Sequence, residues 1–326
     1  MVDFLVKNID LRYNMIMNFW KKKKTIVTHN GSFHADDIFA CAVLGLYLDI
    51  QNQKYIIIRT RDENQINTNN LDKIVVDVGG VYDQDSNKFD HHQIGGAGSR
   101  SNSVPYASFG LVWKKYGPLL CSDSDIVQDI DRRLVQPIDA IDNGMSITEP
   151  SECGIYEYGI YGIVTAYQNT WKEAGDTKKQ YNSFVYLVEF FKEIIIREIE
   201  RCKHNIEIIS CIEDCYQSSE NKNIIQVPHH VTMGSLLQVL DKYKQVLFVV
   251  CRSNTNWKVI AIRKEPCSFE NRKSLPALWA GKRGKELQKI TGIPDAVFCH
   301  NALFMAVAVS KEGALRLAKI ALETND

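Results

Sequence analysis

The segment 28-THNGSFHADD-37 places two histidines close to two adjacent aspartates. Similar side chains recur at Asp77, at 90-DHH-92 and at 139-DAID-142. Carboxylate oxygens and imidazole nitrogens suit divalent ions such as Mn²⁺, Mg²⁺ or Zn²⁺, and the absence of cysteine from these clusters argues against a purely structural zinc site. So many ligands suggest two ions, because a pair roughly 3.5 to 4 Å apart can hold a bridging hydroxide, orient a phosphate and neutralise charge on the leaving oxygen. The clusters therefore favour metal-assisted phosphoester hydrolysis.

Each cluster also has an ordinary structural explanation. His29 alone could be a hydrogen-bonded core histidine, Asp36 is a good N-cap for the helix that it opens, and Asp139 could cap or solvate its own helix. Asp77 is harder to explain in this way, because a carboxylate at the end of the apolar run 74-IVV-76 is costly to bury without a cation or a strong partner. Four such clusters at predicted segment ends in one half of the chain favour a shared functional site.

The elements that must position these residues alternate between strands and helices from residue 25 onward, which predicts a mostly parallel sheet covered on both faces. Strands are predicted at 25–29, 55–60 and 74–79, and helices at 36–48, 105–117, 123–142, 159–168 and 180–217. Ligands of open α/β sheets collect beyond the carboxyl ends of the strands. The cluster from His29 to Asp37 and the carboxylate of Asp77 both lie at such ends.

A second, smaller α/β domain is predicted from the pattern beyond residue 222. Its strands are predicted at 245–251, 257–263, 297–300 and 303–309, and its helices at 276–291 and 311–323. A chain of 326 residues suits two domains. We therefore divide it into an N-terminal extension at 1–24, a metal-binding catalytic domain at 25–180, a helical linker at 181–222 and a substrate-binding domain at 223–326.

The overall composition describes an ordinary soluble, intracellular protein. Its 39 basic residues balance 39 acidic ones, so no global charge marks a nucleic-acid partner. The nine cysteines are scattered and odd in number, which is typical of reduced thiols. No apolar run reaches the roughly 18 to 20 residues of a membrane span. The first 24 residues end in 21-KKKK-24 but fit a transit peptide poorly, because Asp3 and Asp10 interrupt them.

Several segments carry a close resemblance to the melanocyte-proliferating-gene exonuclease family, a branch of the DHH phosphoesterase superfamily. In the first half these are 28-THNGSFHADD-37, 75-VVDVGGVYD-83, 89-FDHHQ-93 and 137-PIDAIDNG-144. In the second half they are 264-KEPCSFENRKSLP-276, 279-WAGKRGKEL-287 and 291-TGIPDAVFCHNALFMAVAVSKEGAL-315. The resemblance thus covers nearly everything from residue 25 to the C-terminus.

The resemblance implies a DHH-phosphoesterase-like fold, in which a parallel-sheet catalytic domain and a smaller α/β domain face each other across a cleft. It also implies a dinuclear centre that usually contains manganese, with Mg²⁺ and Zn²⁺ as alternatives. The implied metal ligands are His29, His34, Asp36, Asp77, His91 and Asp142, with Asp37 and Asp139 in reserve. Asp77 would bridge the ions, His92 would contact the substrate phosphate or stabilise the leaving oxygen, and Asp90 would orient a histidine.

The implied activity is that of a metal-dependent hydrolase, a 3′-to-5′ exonuclease acting on RNA or short oligonucleotides in mitochondria and the nucleus, with the cytoplasm as an alternative. Residues that could hold the substrate lie in the second domain: Arg272, Lys273, Lys282, Arg283, Lys285 and His300. Any one of the basic residues could equally be a solvated surface charge.

Two other functions stay open. One is a phosphoesterase for pyrophosphate or a dinucleotide, which the neutral net charge suits, and the other is a catalytically weak, metal-stabilised binding protein. No membrane partner is predicted, and the oligomeric state is left open.

The chain departs from the family pattern in three places, of which the first two concern the substrate side. Cys267 stands where the family usually has a histidine, Leu303 to Ala306 replace a glycine-rich turn, and 95-GGAGSRSNS-103 replaces a more basic segment. A glycine turn lets the backbone approach a phosphate closely. We therefore expect an intact metal site with a reshaped substrate surface.

Overall fold

The computed structural model describes residues 22–148, 153–155, 157–266 and 268–324. Most of the predicted N-terminal extension, up to residue 21, and the departure at Cys267 lie outside the described residues. Within the described ranges the chain forms two compact units, and the first ends at Cys202 where the second begins at Lys203. Each unit has its own five-stranded sheet, which confirms the predicted α/β class.

The first unit is built on a mostly parallel sheet. In chain order its elements are β1 (Lys24–Thr28), α1 (Ala35–Ile50), β2 (Tyr55–Arg59), α2 (Glu63–Ile66), β3 (Lys73–Val76), β4 (Tyr82–Asp83), β5 (Lys88–Phe89), α3 (Ser108–Leu120), α4 (Ser124–Ile130), a π-helical turn (Asp131–Val135), α5 (Gln136–Asp142), α6 (Ile160–Ala166) and a 3₁₀ turn (Trp171–Glu173), followed by α7 (Thr177–Ser218). The strand order is β2-β1-β3-β5-β4, and only β4 is antiparallel to its neighbour. The two inner strands KTIVT and KIVV, like the edge strand YIIIR, have the isoleucine and valine content of strands in a covered parallel sheet.

The core of the first unit is centred on α1. This helix is apolar on nearly all sides and is buried along most of its length, as expected of a helix inside a core. The ring centroid of Phe39 lies 5.0 Å from that of Phe109 on α3 and 4.2 Å from that of Phe191 on α7. These aromatic contacts fix α1, and with it the acidic residues of its first turn, against two other helices.

The second unit contains a mixed sheet. Its elements are β6 (Ile224–Val227), α8 (Met233–Leu240), β7 (Phe248–Ser253), β8 (Asn256–Ala261), a 3₁₀ turn (Ala277–Trp279), α9 (Gly284–Thr291), β9 (Ala296–Cys299), β10 (Met305–Ala308) and α10 (Lys311–Glu323). The strand order is β6-β7-β8-β10-β9, with only the β6–β7 pair parallel. The predicted strand pair at 245–263 and the closing helix at 311–323 are therefore confirmed.

Helix α7 has 42 residues and contributes side chains to both units. Phe184 and Leu187 are buried in the core of the first unit, whereas Ile212 and Tyr216 are buried in a core of the second. Much of the segment predicted as a linker thus packs as core. Among the helices of the described ranges, α7 included, none is both long enough and apolar enough to cross a membrane.

Two predicted helices are wrong in part. The helix predicted at 123–142 is divided by the π-helical turn, just before Pro137, which lacks the N–H that an α-helical bond would need. The helix predicted at 276–291 contains only a 3₁₀ turn and α9. Gly281 lies between them and Gly284 begins α9, and their positive φ angles of 69° and 46° interrupt a continuous helix. Several short elements of the described residues were not predicted: α2, β4, β5, β6, α8 and the 3₁₀ turn at Trp171–Glu173.

We expect the substitution Gly110→Ala in α3 to lower the free energy of unfolding by about 1 to 3 kcal/mol. A Cβ atom at this position would lie 1.9 Å from Oδ2 of Asp139, which is buried and cannot move freely. The matched control is Gly234→Ala in α8, where the added atom would meet nothing closer than 3.8 Å. Denaturant unfolding of both variants checks this, and an equal effect at the two sites would contradict it.

Candidate metal centre

The parallel register of β1 and β3 brings the first two candidate ligands together. Val27 pairs with Val75, so the residues two positions further along, His29 and Asp77, leave the same edge of the sheet side by side. The Nε2 atom of His29 lies 3.3 Å from Oδ2 of Asp77. His34, which precedes the first turn of α1, places its ring centroid 5.9 Å from that of His29. Local sheet geometry thus assembles one half of the site.

A tight backbone turn orients Asp77. Its φ angle is +55°, and Gly79 and Gly80 follow with φ angles of +100° and +65°. This left-handed region is open to glycine and is tolerated by aspartate and asparagine better than by most other residues. The main-chain N–H of Gly80 donates to Oδ2 of Asp90 at 2.5 Å, so the turn also binds the segment that carries the next histidines.

The carboxylate of Asp77 contacts histidines on both sides. Oδ2 contacts His29, whereas Oδ1 lies 3.5 Å from Nε2 of His91 and 3.4 Å from Nδ1 of His92. The hydroxyl of Ser108 donates to Oδ1 at 3.0 Å and fixes the rotation of the group. A carboxylate held in this way can share its two oxygens between two cations.

Three overlapping groups of side chains have ligand atoms within 4.8 Å of one another. They are His29, His34 and Asp77; then Asp77, His91 and His92; then His34, Asp36 and Asp142. Together these groups contain all six side chains that the sequence analysis named as metal ligands. The structure therefore brings β1, α1, the turn after β3, the segment after β5 and the end of α5 to one place.

Asp36 is the strongest local indication of a cation. It is completely buried, and within the described ranges neither of its carboxylate oxygens has a hydrogen-bond partner. Burial raises its pKa well above the usual value, and the charges of Asp77 and Asp142 raise it further. A buried carboxylate without partners is costly unless a cation binds it, and carboxylate oxygens with imidazole nitrogens are a donor set that divalent metals accept. The residues present thus fit a divalent ion.

The two reserve candidates have other partners. Oδ1 of Asp37 accepts a hydrogen bond from the main-chain N–H of His34 at 2.9 Å, and Oδ2 lies 3.1 Å from Nε2 of His29. Asp139 accepts from the N–H of Gly110 at 3.0 Å and lies 2.8 Å from Nη1 of Arg100. Asp37 therefore lines the site, whereas Asp139 belongs to none of the three ligand groups.

Asp90 fixes the exposed histidine of the DHH sequence. Its Oδ1 accepts from the main-chain N–H groups of His91 and His92 and lies 2.8 Å from Nδ1 of His92. The hydrogen bond with Asp90 is the largest influence on His92 and raises its pKa. The His92 side chain is 61% exposed, unlike that of its neighbour His91. It is therefore held in orientation yet open to a ligand.

The two buried histidines supply positive charge to the carboxylates. Burial lowers the pKa of His29, but Asp37 and Asp77 outweigh this and raise it to about 10. Burial likewise lowers the pKa of His91, but Asp142 and Asp77 raise it to about 10. Both rings therefore carry protons at neutral pH when only protein groups surround them. A metal ion that binds their nitrogens must displace these protons.

Two of the predicted substrate-binding residues donate hydrogen bonds to main-chain carbonyls of their own unit. The guanidinium of Arg272 donates to four main-chain carbonyls, those of Leu240, Tyr243, Val246 and Arg263. The ammonium of Lys273 donates to the carbonyl of Leu322 at 2.6 Å, near the end of α10. These contacts engage most of the Arg272 donors and one of the three Lys273 donors, and the role of both residues in binding substrate stays a prediction.

The remaining predicted substrate residues lie at the surface of the second unit. Arg283 and Lys285 are exposed, whereas Lys282 and His300 are half-buried. The guanidinium of Arg283 lies 4.4 Å from the centroid of the Phe298 ring. Their role in binding substrate stays a prediction.

The departure at Leu303 keeps the conformation that a glycine would favour. Leu303 has a φ angle of +57°, an uncommon value for a branched side chain. Its N–H donates to the carbonyl of His300 at 2.9 Å, which closes a turn between β9 and β10. The turn is therefore made without glycine.

The sequence analysis missed three side chains that support the site: Arg59, Arg100 and Ser108. Arg59 follows from the same strand-end rule that found His29, since it ends β2, and it donates to the carbonyl of Gly31 at 2.9 Å. Nothing in the local sequence singles out Arg100 or Ser108. Their roles depend on contacts with residues far away along the chain.

Comparison with known proteins relates the chain to one family. The family model MYG1_exonuc, described as "Uncharacterised protein family (UPF0160)", matches residues 25–322. The MYG1 exonuclease of Mus musculus is 29% identical over an alignment of 325 residues that covers 91% of this chain and 84% of that protein. The MYG1 protein of Dictyostelium discoideum is 30% identical over an alignment of 319 residues that covers 90% of this chain and 95% of that protein.

One solved structure shows a loose overall similarity. It is RecJ in complex with Mn²⁺ from Thermus thermophilus, with 11% sequence identity and a TM-score of 0.29. The comparison covers 99% of this chain and 57% of the RecJ chain, so this chain spans little more than half the length of that protein.

We expect Asp77→Asn to weaken Mn²⁺ binding by about 100-fold or more, because it removes the charge shared by both sides of the site. Asparagine tolerates the φ angle of +55°, so the variant should fold. In the presence of chelator its melting temperature should equal or exceed that of wild type. The matched control is Asp85→Asn, an exposed acid between β4 and β5. Electron paramagnetic resonance of free Mn²⁺ measures binding, and wild-type affinity in Asp77→Asn would contradict the assignment.

We also expect metal binding to release protons and to weaken as the pH falls. With pKa values raised to about 10, His29 and His91 must each lose a proton before their nitrogens can bind a cation. Calorimetric titration of Mn²⁺ in buffers of different ionisation enthalpy counts the released protons. A binding heat that is the same in every buffer would show that these imidazoles are not ligands.

Proposed function

Since the chain belongs to the MYG1 exonuclease family, we propose that it is a hydrolase that uses two divalent metal ions to cleave phosphodiester bonds. The observation that carries this proposal is the buried Asp77 carboxylate, whose two oxygens contact histidines on opposite sides. Relatives with 28 to 29% identity are named MYG1 exonuclease, which supports a nuclease. The finer proposal is removal of nucleotides from the 3′ end of RNA or short oligonucleotides.

The contacts suggest how the ligands divide between two ions. His29, His34 and Asp77 would hold the first. The second would be held around His91, whose Nε2 lies 3.2 Å from Asp142, 3.5 Å from Asp77 and 4.0 Å from Asp36. When bound, the ions would supply a nucleophile at neutral pH and neutralise charge on the phosphate. We propose Mn²⁺ first and Mg²⁺ or Zn²⁺ as alternatives, since all three accept oxygen and imidazole ligands.

His92 is the side chain that we propose to act on the substrate. Asp90 holds its Nδ1 and raises its pKa, which favours the protonated ring. A protonated imidazole with one nitrogen occupied can donate from the other to a phosphate oxygen or to the leaving oxygen. Its exposure allows this contact without a movement of the buried ligands.

The substrate proposal rests on family resemblance and on the second unit. Four side chains of the second unit remain candidate contacts for the phosphates of a substrate, because they can attract and hydrogen-bond phosphate oxygens. They are Lys282, Arg283, Lys285 and His300. Mitochondria and the nucleus are the compartments that we propose from the same resemblance.

A smaller substrate is the second candidate. Arg272 and Lys273 donate to main-chain carbonyls of their own unit, so two of the five predicted cations are partly engaged before a long nucleic acid binds. With a formal net charge of +0, the chain as a whole also attracts a polyanion only weakly. Both observations favour a dinucleotide or pyrophosphate over a long RNA. If the protein cleaved no phosphoester, the remaining hypothesis would be a metal-stabilised binding protein.

The test is hydrolysis of end-labelled single-stranded RNA, DNA and a dinucleotide with Mn²⁺, Mg²⁺ or chelator. We expect wild type to shorten RNA from its 3′ end with metal, and His92→Asn to lose about 100-fold or more of the rate while still binding metal. The matched control is His204→Asn, an exposed histidine on α7. Cleavage of the dinucleotide alone would replace the substrate proposal, and no cleavage at all would leave the binding protein.

A further inference from the structure

The glycine- and serine-rich segment after His92 folds into a closed turn. The N–H of Ser103 donates to the carbonyl of Arg100, and the N–H of Arg100 donates to the carbonyl of Val104, both at 2.9 Å. The N–H of Tyr106 donates to the carbonyl of Gly98 at 3.0 Å, which closes the base. The segment therefore has a defined shape that places Arg100 at a fixed point.

The side chain of Arg100 is only 7% exposed and contacts two carboxylates. Its Nε and Nη2 donate to the two oxygens of Asp131 at 3.1 and 2.7 Å. Its Nη1 lies 2.8 Å from Oδ2 of Asp139, and its guanidinium lies 4.2 Å from the centroid of the Tyr106 ring. A planar fork of five donors can serve two carboxylates at once, which a lysine ammonium cannot do in the same geometry.

The contact with Asp139 connects Arg100 to the helix that carries the candidate ligand Asp142. Asp139 and Asp142 both lie on α5, about one helical turn apart, so fixing the first restrains the second. Oδ2 of Asp142 lies 3.2 Å from Nε2 of His91. A second contact joins the same segments, since Nδ2 of Asn102 donates to Oε1 of Gln136 at 2.8 Å.

We propose that Arg100 is a positioning residue for one of the two metal ions. It joins the segment that follows His91 and His92 to the helix that carries Asp142, so it holds the ligands of the second ion in register. The candidate ligands His29 and His34 come from the end of β1 and the start of α1, and in the described part of the chain the hydrogen bonds and ion pairs of the Arg100 side chain go to Asp131 and Asp139 instead. The inference rests on the proposed function, because it requires the two-ion centre.

The inference predicts a selective effect on metal binding. We expect wild type to bind two Mn²⁺ ions in a calorimetric and paramagnetic-resonance titration. Arg100→Lys keeps the charge but loses the fork, so one ion should bind within about threefold of the wild-type affinity while the other binds about 10- to 100-fold more weakly. A purely structural role would weaken both ions equally or neither.

The matched control is Arg133→Lys. Arg133 also makes two ion pairs in the first unit, with Asp129 at 2.7 Å and Glu198 at 3.0 Å, but these partners are not on the segments that carry ligands. We expect both ions to bind this variant as they bind wild type. Selective loss of one ion in the control as well would overturn the inference.

A double variant covers the case in which Arg100→Lys fails to fold. Arg100→Met with Asp139→Asn leaves no unpaired buried charge, and the asparagine oxygen can still accept from the N–H of Gly110. Selective loss of one ion in the folded double variant supports the inference, and two ions bound as in wild type overturn it. Wild type with fewer than two ions would instead overturn the two-ion proposal and the inference with it.

Discussion

The burial of the Asp77 carboxylate among three histidines is the interaction on which the rest of the structure depends. Asp77 is only 3% exposed, and the fully buried acids Asp36 and Asp37 lie beside it on α1. Such a concentration of buried carboxylates is stable only when cations compensate the negative charge or protons neutralise it. Protonated imidazoles do so when protein groups alone surround the site, and the same nitrogens and oxygens form a donor set for divalent metals. One constraint thus accounts for the composition of the site and for its expected dependence on pH.

The two halves of the site are assembled by different means. His29 and Asp77 meet because two parallel strands end in register, which is a property of the sheet. His91 follows β5, which pairs in parallel with β3, whereas Asp142 comes from the end of α5, so their approach to each other needs contacts that the sheet alone does not supply. Arg100 provides such a contact through Asp139. This difference explains why the glycine- and serine-rich segment, which departs from the family pattern, matters for the metal centre.

The candidate ligands were predictable from the sequence to the extent that local rules govern them. A carboxylate that ends an apolar run and a histidine that ends a strand both lie at the ligand-binding edge of a parallel sheet, which identifies Asp77 and His29. The role of Arg272 was not predictable, because its partners are main-chain carbonyls that only the folded second unit brings together. The same holds for Ser108 and Arg100. The break at Gly281 in the predicted helix could have been expected from the sequence, because helices commonly end at a glycine that adopts a positive φ angle.

The most direct test of the central claim is the anomalous scattering of manganese from crystals grown with Mn²⁺. The account predicts two peaks about 3.5 to 4 Å apart, with one Asp77 oxygen against each, His29 beside the first and His91 beside the second. A single peak, or peaks that do not contact Asp77, would contradict it.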